Sequence, residues 1–282
     1  MKVLIIGFLH HKNRIGLINI LNFIKYEYKF GSIADINNFD IIYSPTEPID
    51  SSKYPTKKFI MGPHFSVFPD ENKLKIINNI HNNTIYIQPS EWVSKLWINF
   101  NIQKYLPIFT MPFPVDTNKF IPINQPKNDV FIYYKRRNPN ELQFIINYLN
   151  ANNIKFHLFN YTASYKENDY LNVLQKSKYG IIVDAHESQG FAIEEALSCN
   201  VPLLVWNTKI MSQEYGSRYD NISCNTIPYW DSLCGEYFYE QNEFINTFEL
   251  FINKLSSYNP RQYILDNLST EICSEKWKNI LL

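Results

Sequence analysis

The stretch Gly180-Ile181-Ile182-Val183-Asp184-Ala185-His186-Glu187-Ser188-Gln189-Gly190-Phe191-Ala192-Ile193-Glu194-Glu195-Ala196-Leu197-Ser198-Cys199-Asn200-Val201-Pro202-Leu203-Leu204-Val205-Trp206 decides the fold. The short apolar run Gly180 to Val183 reads as a buried strand. A polar loop carrying one glycine, Gly190, follows it, and Phe191 to Ser198 then has apolar residues at helical spacing. Asn200 and Pro202 end that helix, and Pro202 to Trp206 is a second apolar run. Strand, turn, helix, turn, strand in this order makes a parallel unit with a crossover helix.

The same rhythm extends in both directions. Upstream, Val130 to Tyr134 reads as a strand, Pro139 to Leu149 as a helix, Ile154 to Phe159 as a strand and Tyr170 to Lys176 as a helix. Phe120 to Asp129 breaks the pattern, with two prolines, Pro122 and Pro126, among polar residues, and reads as a linker. Before it, Val3 to Ile6, Ile41 to Tyr43, Phe59 to Met61, Thr84 to Ile87 and Leu106 to Phe109 are short apolar runs, each closed by a turn signal. Helical patterns at Ile15 to Ile24, Asn72 to Ile80 and Glu91 to Phe100 separate several of them. The expected class is α/β, two Rossmann-like parallel-sheet domains facing a cleft. The expected boundaries are 1–122 and 123–267, with a last helix at about 268–282 returning to the first domain through Trp277, Ile280 and Leu281.

Composition narrows the function. In 282 residues, Lys plus Arg is 27 and Asp plus Glu is 27, so the net charge is zero and a dedicated nucleic-acid binder is disfavoured. No run nears the roughly 18 apolar residues of a spanning helix, and the opening apolar run is too short for a secretory signal, so a cytoplasmic chain is expected. The four cysteines show no paired zinc spacing and are expected to be reduced. The abundance of Asn, Ile, Lys and Tyr reads as A/T-rich coding. Trp230-Asp231 and Cys234-Gly235 form a loop to which the sequence alone gives no role.

The chemistry concentrates where strands end, because open parallel sheets bind ligands at the carboxyl ends of their strands. After Val183, the free amides of Gly190, Phe191 and Ala192 open a helix and can face an anion, the helix dipole adding to the attraction. Glu187 lies in the loop and Glu195 about a turn into the helix, so both can reach one ligand at different depths. Lys135, Arg136 and Arg137 follow another strand and are candidates for phosphate. Gly7 follows the first strand, and His64 follows the strand ending at Met61. No Asp-x-Asp element stands at a strand end in the pattern of a metal-bridged diphosphate.

Glu187, Gly190, Glu195, Ala196 and Pro202 together resemble the E-x-x-G-x-x-x-x-E-A element and small-x-P turn of the retaining nucleotide-sugar glycosyltransferases of the GT-B fold, family 4. Met111 to Pro122 is similar to that family's N-G-V-D-x-x-x-F-x-P segment, keeping Val115, Asp116, Phe120 and Pro122 but with Pro114 in the glycine position. Tyr86 to Ser90 resembles its strand-then-Ser element. The likeness spans roughly residues 57 to 206 and is specific through the order of its parts.

The resemblance implies transfer of a sugar from a nucleotide-diphosphate donor to a glycan or small-molecule acceptor, with no cofactor and no metal. It places Glu187 beside the donor sugar as a catalytic residue and Glu195 on the ribose hydroxyls. Gly190, Phe191 and Ala192 would hold sugar hydroxyls or phosphate, and Lys135, Arg136 and Arg137 the diphosphate. Gly7 would lie near the phosphates and His64 on the acceptor side as a second catalytic residue. The family's G-R-x4-K spacing and its glycine pair after the first strand are both absent. A dehydrogenase is disfavoured because the opening strand lacks G-x-G-x-x-G. A GT-B-shaped nucleotide-sugar epimerase and a non-catalytic nucleotide-sugar-binding protein are the alternatives. Donor base, sugar, acceptor and oligomeric state stay open.

Overall fold

A computed structural model describes residues 1–46, 49–63, 80–104 and 106–281. The chain divides into two compact units, Met1–Pro114 with Leu268–Leu282, and Val115–Asn267.

In the first unit, β1 (Lys2–Ile6), β2 (Glu27–Gly31), β3 (Ile41–Ser44), β4 (Lys58–Met61), β5 (Thr84–Gln88) and β6 (Ile108–Thr110) form one parallel sheet in the order β2-β1-β3-β4-β5-β6. β1 and β3 are buried on both faces, which is why their sequences are apolar runs without alternation. β2 is an edge strand with half-exposed residues, so its Glu-Tyr-Lys-Phe-Gly carries no such run, and the sequence reading passes over it. Helices α1 (His11–Phe23) and α2 (Glu91–Asn99) belong to this unit, as does the C-terminal helix Thr270–Leu281, which packs on α1. Trp277, Ile280 and Leu281 are buried. Trp277 Nε1 donates to the Pro112 carbonyl at 3.0 Å, and its ring meets Phe113 and Tyr43 at centroid distances of 5.3 and 5.9 Å.

The second unit begins at Val115, earlier than the expected 123. The cause is local. The Phe120 side chain is buried, and its carbonyl accepts from Ser198 Oγ at 2.6 Å and Arg261 Nη1 at 3.1 Å. Residues read as linker are therefore bolted to the second unit.

That unit's sheet comprises β7 (Asp129–Lys135), β8 (His157–Asn160), β9 (Ser177–Asp184), β10 (Leu203–Trp206) and β11 (Gly235–Phe238), in the parallel order β11-β10-β9-β7-β8. Helices α3 (Pro139–Ala151), α4 (Glu167–Lys176), α5 (Phe191–Ser198), α6 (Phe244–Asn253) and α7 (Pro260–Leu268) accompany it. β7 shows the strand period of two. Val130, Ile132 and Tyr134 join Ile145, Leu149 and Phe244 in one core, while Phe131 and Tyr133 meet Tyr170 on the other face. At Gly180 a Cβ would lie 2.3 Å from the Phe131 ring, so the β7–β9 contact requires glycine there.

The loop around Trp230 has a plain structural account. Asp231 accepts from Leu233 N at 2.7 Å through its carboxylate and from Cys234 N at 3.1 Å through its carbonyl. Gly235, at φ 136°, then enters β11 so close to β10 that a Cβ would sit 2.0 Å from the Leu203 carbonyl oxygen. All four cysteines are free thiols. No helix among the described residues is long and apolar enough to cross a membrane.

Candidate functional site

Counted along the second unit, the strand order is second, first, third, fourth, fifth, and the direction of winding reverses between β7 and β9. Such a reversal opens a crevice at the carboxyl ends of the two strands, where α/β sheets take their ligands. The register of this pair puts Lys135 opposite Asp184, the last residue of each strand. Sheet order, a non-local property, brings these two residues together.

Asp184 is fully buried, and among the described residues no donor reaches either carboxylate oxygen within hydrogen-bond geometry. Glu187, from the following loop, is ion-paired with Lys135, and both side chains are nearly buried. The Lys135 ammonium also lies 4.7 Å from the centroid of the half-exposed Tyr161 ring, a cation–π contact. Burial drives the Asp184 carboxyl well above the usual carboxylate range, and the charge of Glu187 adds to it. Glu187 moves the other way: burial alone would raise it, but the Lys135 charge and hydrogen bonds from Asp184 and Lys135 hold it below its ordinary value. Lys135 is held above the ordinary lysine value because Glu187 and Asp184 outweigh its desolvation. Beside the same lysine and under the same burial, the two acids thus move in opposite directions, Asp184 up and Glu187 down.

The residue after Lys135 turns the chain. Arg136 adopts φ 53° and leaves its side chain half exposed, 3.5 Å from Glu214. Glu214 in turn approaches His186 Nδ1 at 3.4 Å, and the His186 imidazole is depressed to about 4, chiefly by burial. Arg137, expected with Lys135 and Arg136 among the phosphate ligands, points inward instead and is fully buried. Its guanidinium grips Glu141 with two bonds, Nε at 2.7 Å and Nη2 at 2.6 Å. Nη1 reaches the carbonyls of Trp206 at 3.1 Å and Asp184 at 3.3 Å. Every guanidinium nitrogen is committed, so Arg137 is a strut joining β7, β9, β10 and α3.

α5 begins beside this cluster. Gly190 is its N-cap at φ 94°, a conformation that costs an L side chain about 1–2 kcal/mol. Space is not the constraint, since a Cβ would meet Glu187 Cβ at an ordinary 3.5 Å. The amides of Phe191 and Ala192 head the helix, and both residues are partly exposed. Glu195 is buried, and so is Glu194, which accepts from Gln189 Nε2 at 3.1 Å. Neither acid is a solvated face residue. Beneath the helix start, Tyr170 donates to the Ala192 carbonyl at 2.8 Å.

Lys135, Arg136 and Glu187 thus follow the carboxyl ends of β7 and β9, Gly190, Phe191 and Ala192 form the start of α5, and Glu195 is buried further along that helix. Gly7 lies in the first unit, after β1, at the same kind of winding reversal between β1 and β3. It has φ 93°, and a Cβ there would come within 2.8 Å of Thr46 Oγ1. His64 and most of the helix expected at Asn72 to Ile80 lie outside the described residues. Sequence reasoning gave no role to Asp184, His186, Glu214 or Tyr161. The signal for Asp184 was its place as the last residue of an apolar strand ahead of the Glu187 loop.

No family model matches the sequence, and no curated protein matches it. Solved structures do. Sucrose-phosphate synthase from Thermosynechococcus elongatus is similar over 100% of this chain and 98% of its own, at 10% identity and a TM-score of 0.61. The catalytic domain of starch synthase IV from Arabidopsis thaliana, bound to ADP and acarbose, covers 97% of this chain and 78% of its own, at 10% identity and a TM-score of 0.56. S. aureus TarM, in complex with Fondaparinux, alpha-GlcNAc-glycerol and UDP, covers 85% of this chain at 15% identity and a TM-score of 0.54. This chain spans 55% of the TarM chain. The fold is that of the GT-B glycosyltransferases, α/β with two parallel sheets.

Proposed function

We propose that the protein is a glycosyltransferase that moves a sugar from a nucleotide-diphosphate donor to a hydroxyl acceptor, a glycan or a small molecule. The observation that carries this reading is the Lys135–Glu187 pair at the β7–β9 reversal, beside the amide-headed start of α5. Departure of a nucleoside diphosphate builds negative charge, which a cation and a helix N-terminus stabilise in the transition state. Lys135 keeps ammonium protons beyond the one given to Glu187, and it and Arg136 take the diphosphate. Glu195 accepts from the two ribose hydroxyls. Glu187 lies against the donor sugar, and the amides of Phe191 and Ala192 bind sugar hydroxyls or phosphate.

The matches to the E-x7-E element extend the proposal to the retaining family 4 mechanism without a metal. The leaving phosphate assists deprotonation of the acceptor through an oxocarbenium-like transition state, and no covalent glycosyl-enzyme forms. His64 serves the acceptor side and Gly7 lies near the phosphates.

The test is a panel of uridine, guanosine, adenosine and thymidine diphosphate sugars, read by thermal shift and by product analysis. A donor that raises Tm and whose sugar appears on a second molecule is the expected result. A changed sugar still on the nucleotide would make the protein an epimerase. A panel with no binder would overturn the assignment.

A further inference from the structure

Asp184 has no evident reason to be a carboxylic acid. It is fully buried, no well-formed hydrogen bond reaches its carboxyl oxygens among the described residues, and it stands across the strand pair from Lys135, whose ammonium is ion-paired with Glu187. A buried carboxylate in that position would be a charge beside a second one of the same sign, an arrangement that low-dielectric surroundings strongly disfavour. Carrying a proton, the same side chain is neutral and can donate a hydrogen bond to the neighbouring Glu187 carboxylate.

We propose that Asp184 is a positioning residue: as a protonated acid it donates a hydrogen bond to Glu187 and fixes that carboxylate against Lys135. The inference rests on the glycosyltransferase reading only for what the positioned pair goes on to do. Glu187 is held from two sides, by the β7 lysine and by the acid that closes β9. Lys135 is held in turn at the crevice mouth, where a diphosphate would arrive. A second ionised acid would set a negative charge where the phosphates' own charge must be accommodated, and the proton on Asp184 prevents that.

Groups on every neighbouring element face this acid. From β7 and its turn come Lys135, the Tyr133 hydroxyl, raised by burial and then by Asp184, and Arg137, whose Nη1 bonds the Asp184 carbonyl. α4 contributes the buried Tyr170 hydroxyl, and the loop after β9 contributes His186 and Glu187. Lys135 is the cation nearest the carboxyl, and Glu187 already claims it; burial and the Glu187 charge therefore prevail and keep the proton on Asp184.

Asparagine imitates a protonated aspartic acid and cannot ionise, so Asp184→Asn separates the proton from the charge. The folded protein holds a proton that the unfolded chain releases above about pH 4, so stability falls as pH rises beyond that point. Tm is measured from about pH 5 to about pH 9 for the wild type, Asp184→Asn and Asp184→Ala. The expected result is a wild-type Tm that declines with pH relative to Asp184→Asn. In a second arm, calorimetric affinities for UDP, ADP and GDP are compared at neutral pH. Asp184→Asn keeps the wild-type affinity for whichever nucleotide binds, and Asp184→Ala loses about tenfold or more because the hydrogen bond from position 184 to Glu187 is lost. Parallel Tm profiles for the wild type and Asp184→Asn would overturn the proposal, as would equal affinities for the Asn and Ala variants. If no nucleotide binds the wild type, the glycosyltransferase reading fails while the thermal arm still decides where the proton is.

Discussion

Arg136 and Arg137 are neighbours in the chain and do opposite work. The left-handed backbone at Arg136 keeps its side chain at the surface beside Glu214, while Arg137 runs into the core and ties Glu141 to two strand-end carbonyls. Removing the guanidinium deprives the buried carbonyls of Trp206 and Asp184 of a donor and leaves the partly exposed Glu141 unpaired, at about 1–3 kcal/mol for each buried group left unsatisfied. Arg137→Met is therefore expected to lower Tm sharply or prevent folding, as read by thermal denaturation. Arg136→Ala is expected to change stability by no more than about 1 kcal/mol and to weaken nucleotide-diphosphate binding. Equal stability losses in the two variants would contradict this division.

The two acids flanking the start of α5 are expected to matter for turnover, and Glu187→Gln also lowers stability because it takes the partner charge from the nearly buried Lys135 ammonium. Glu187→Gln and Glu195→Gln keep shape and volume, and the double variant should retain the wild-type circular dichroism spectrum. Its transfer rate should fall by about a hundredfold or more, the usual loss when an electrostatic contact to a transition state is removed. A double variant with unimpaired turnover would remove both acids from the mechanism.

Gly190 and Gly235, two glycines of the second unit with left-handed backbone, should respond differently to alanine. At Gly235 a Cβ collides with the Leu203 carbonyl oxygen at 2.0 Å, a backbone contact that cannot give way. Gly235→Ala should unseat β11 and abolish cooperative unfolding. At Gly190 the Cβ has room and only φ 94° is unfavourable. Gly190→Ala should fold, lose about 1–2 kcal/mol, and bind nucleotides more weakly because the amides of Phe191 and Ala192 are re-aimed.

His186 makes the fold acid-sensitive. Its imidazole is depressed from 6.5 to about 4, first by burial, with Lys135 and Arg136 adding to the effect and Glu187 opposing it. Below about pH 6.5 the unfolded chain takes up a proton that the folded protein refuses until about pH 4. Stability is thus fully present above that window and falls through it as pH drops, by up to about 3 kcal/mol. Denaturant melts should show a shallower acid slope for His186→Gln than for the wild type. An imidazole NMR titration centred near 6.5 would contradict the assignment.

Much of this protein was legible in its sequence where the signal is local. The apolar runs of β1, β3 and β9, the Gly190 turn and α5 are read directly, because parallel strands covered on both faces keep their polar residues at their ends and are apolar between. β2 escaped because an edge strand is half solvated, and β11 because its four residues begin with a glycine and carry exposed Tyr237. The site's parts were visible and their partnerships were not. Lys135 meets Asp184 only through sheet order and register, and nothing in Lys135-Arg136-Arg137 tells which arginine turns inward until the φ of Arg136 is known. The unit boundary was misplaced for a similar reason: the carbonyl of Phe120 is held by Ser198 and Arg261, far along the chain.

The helix bearing Trp277 gives the protein a birth order. The second unit is one uninterrupted segment, whereas the first draws its closing helix from more than 150 residues downstream. During synthesis the later-made unit can finish first, while the earlier one waits on the ribosome with the groove by Pro112 and Phe113 uncovered. A chain that lacks Trp277 would therefore leave the rings of Phe113 and Tyr43 without the side chain that covers them.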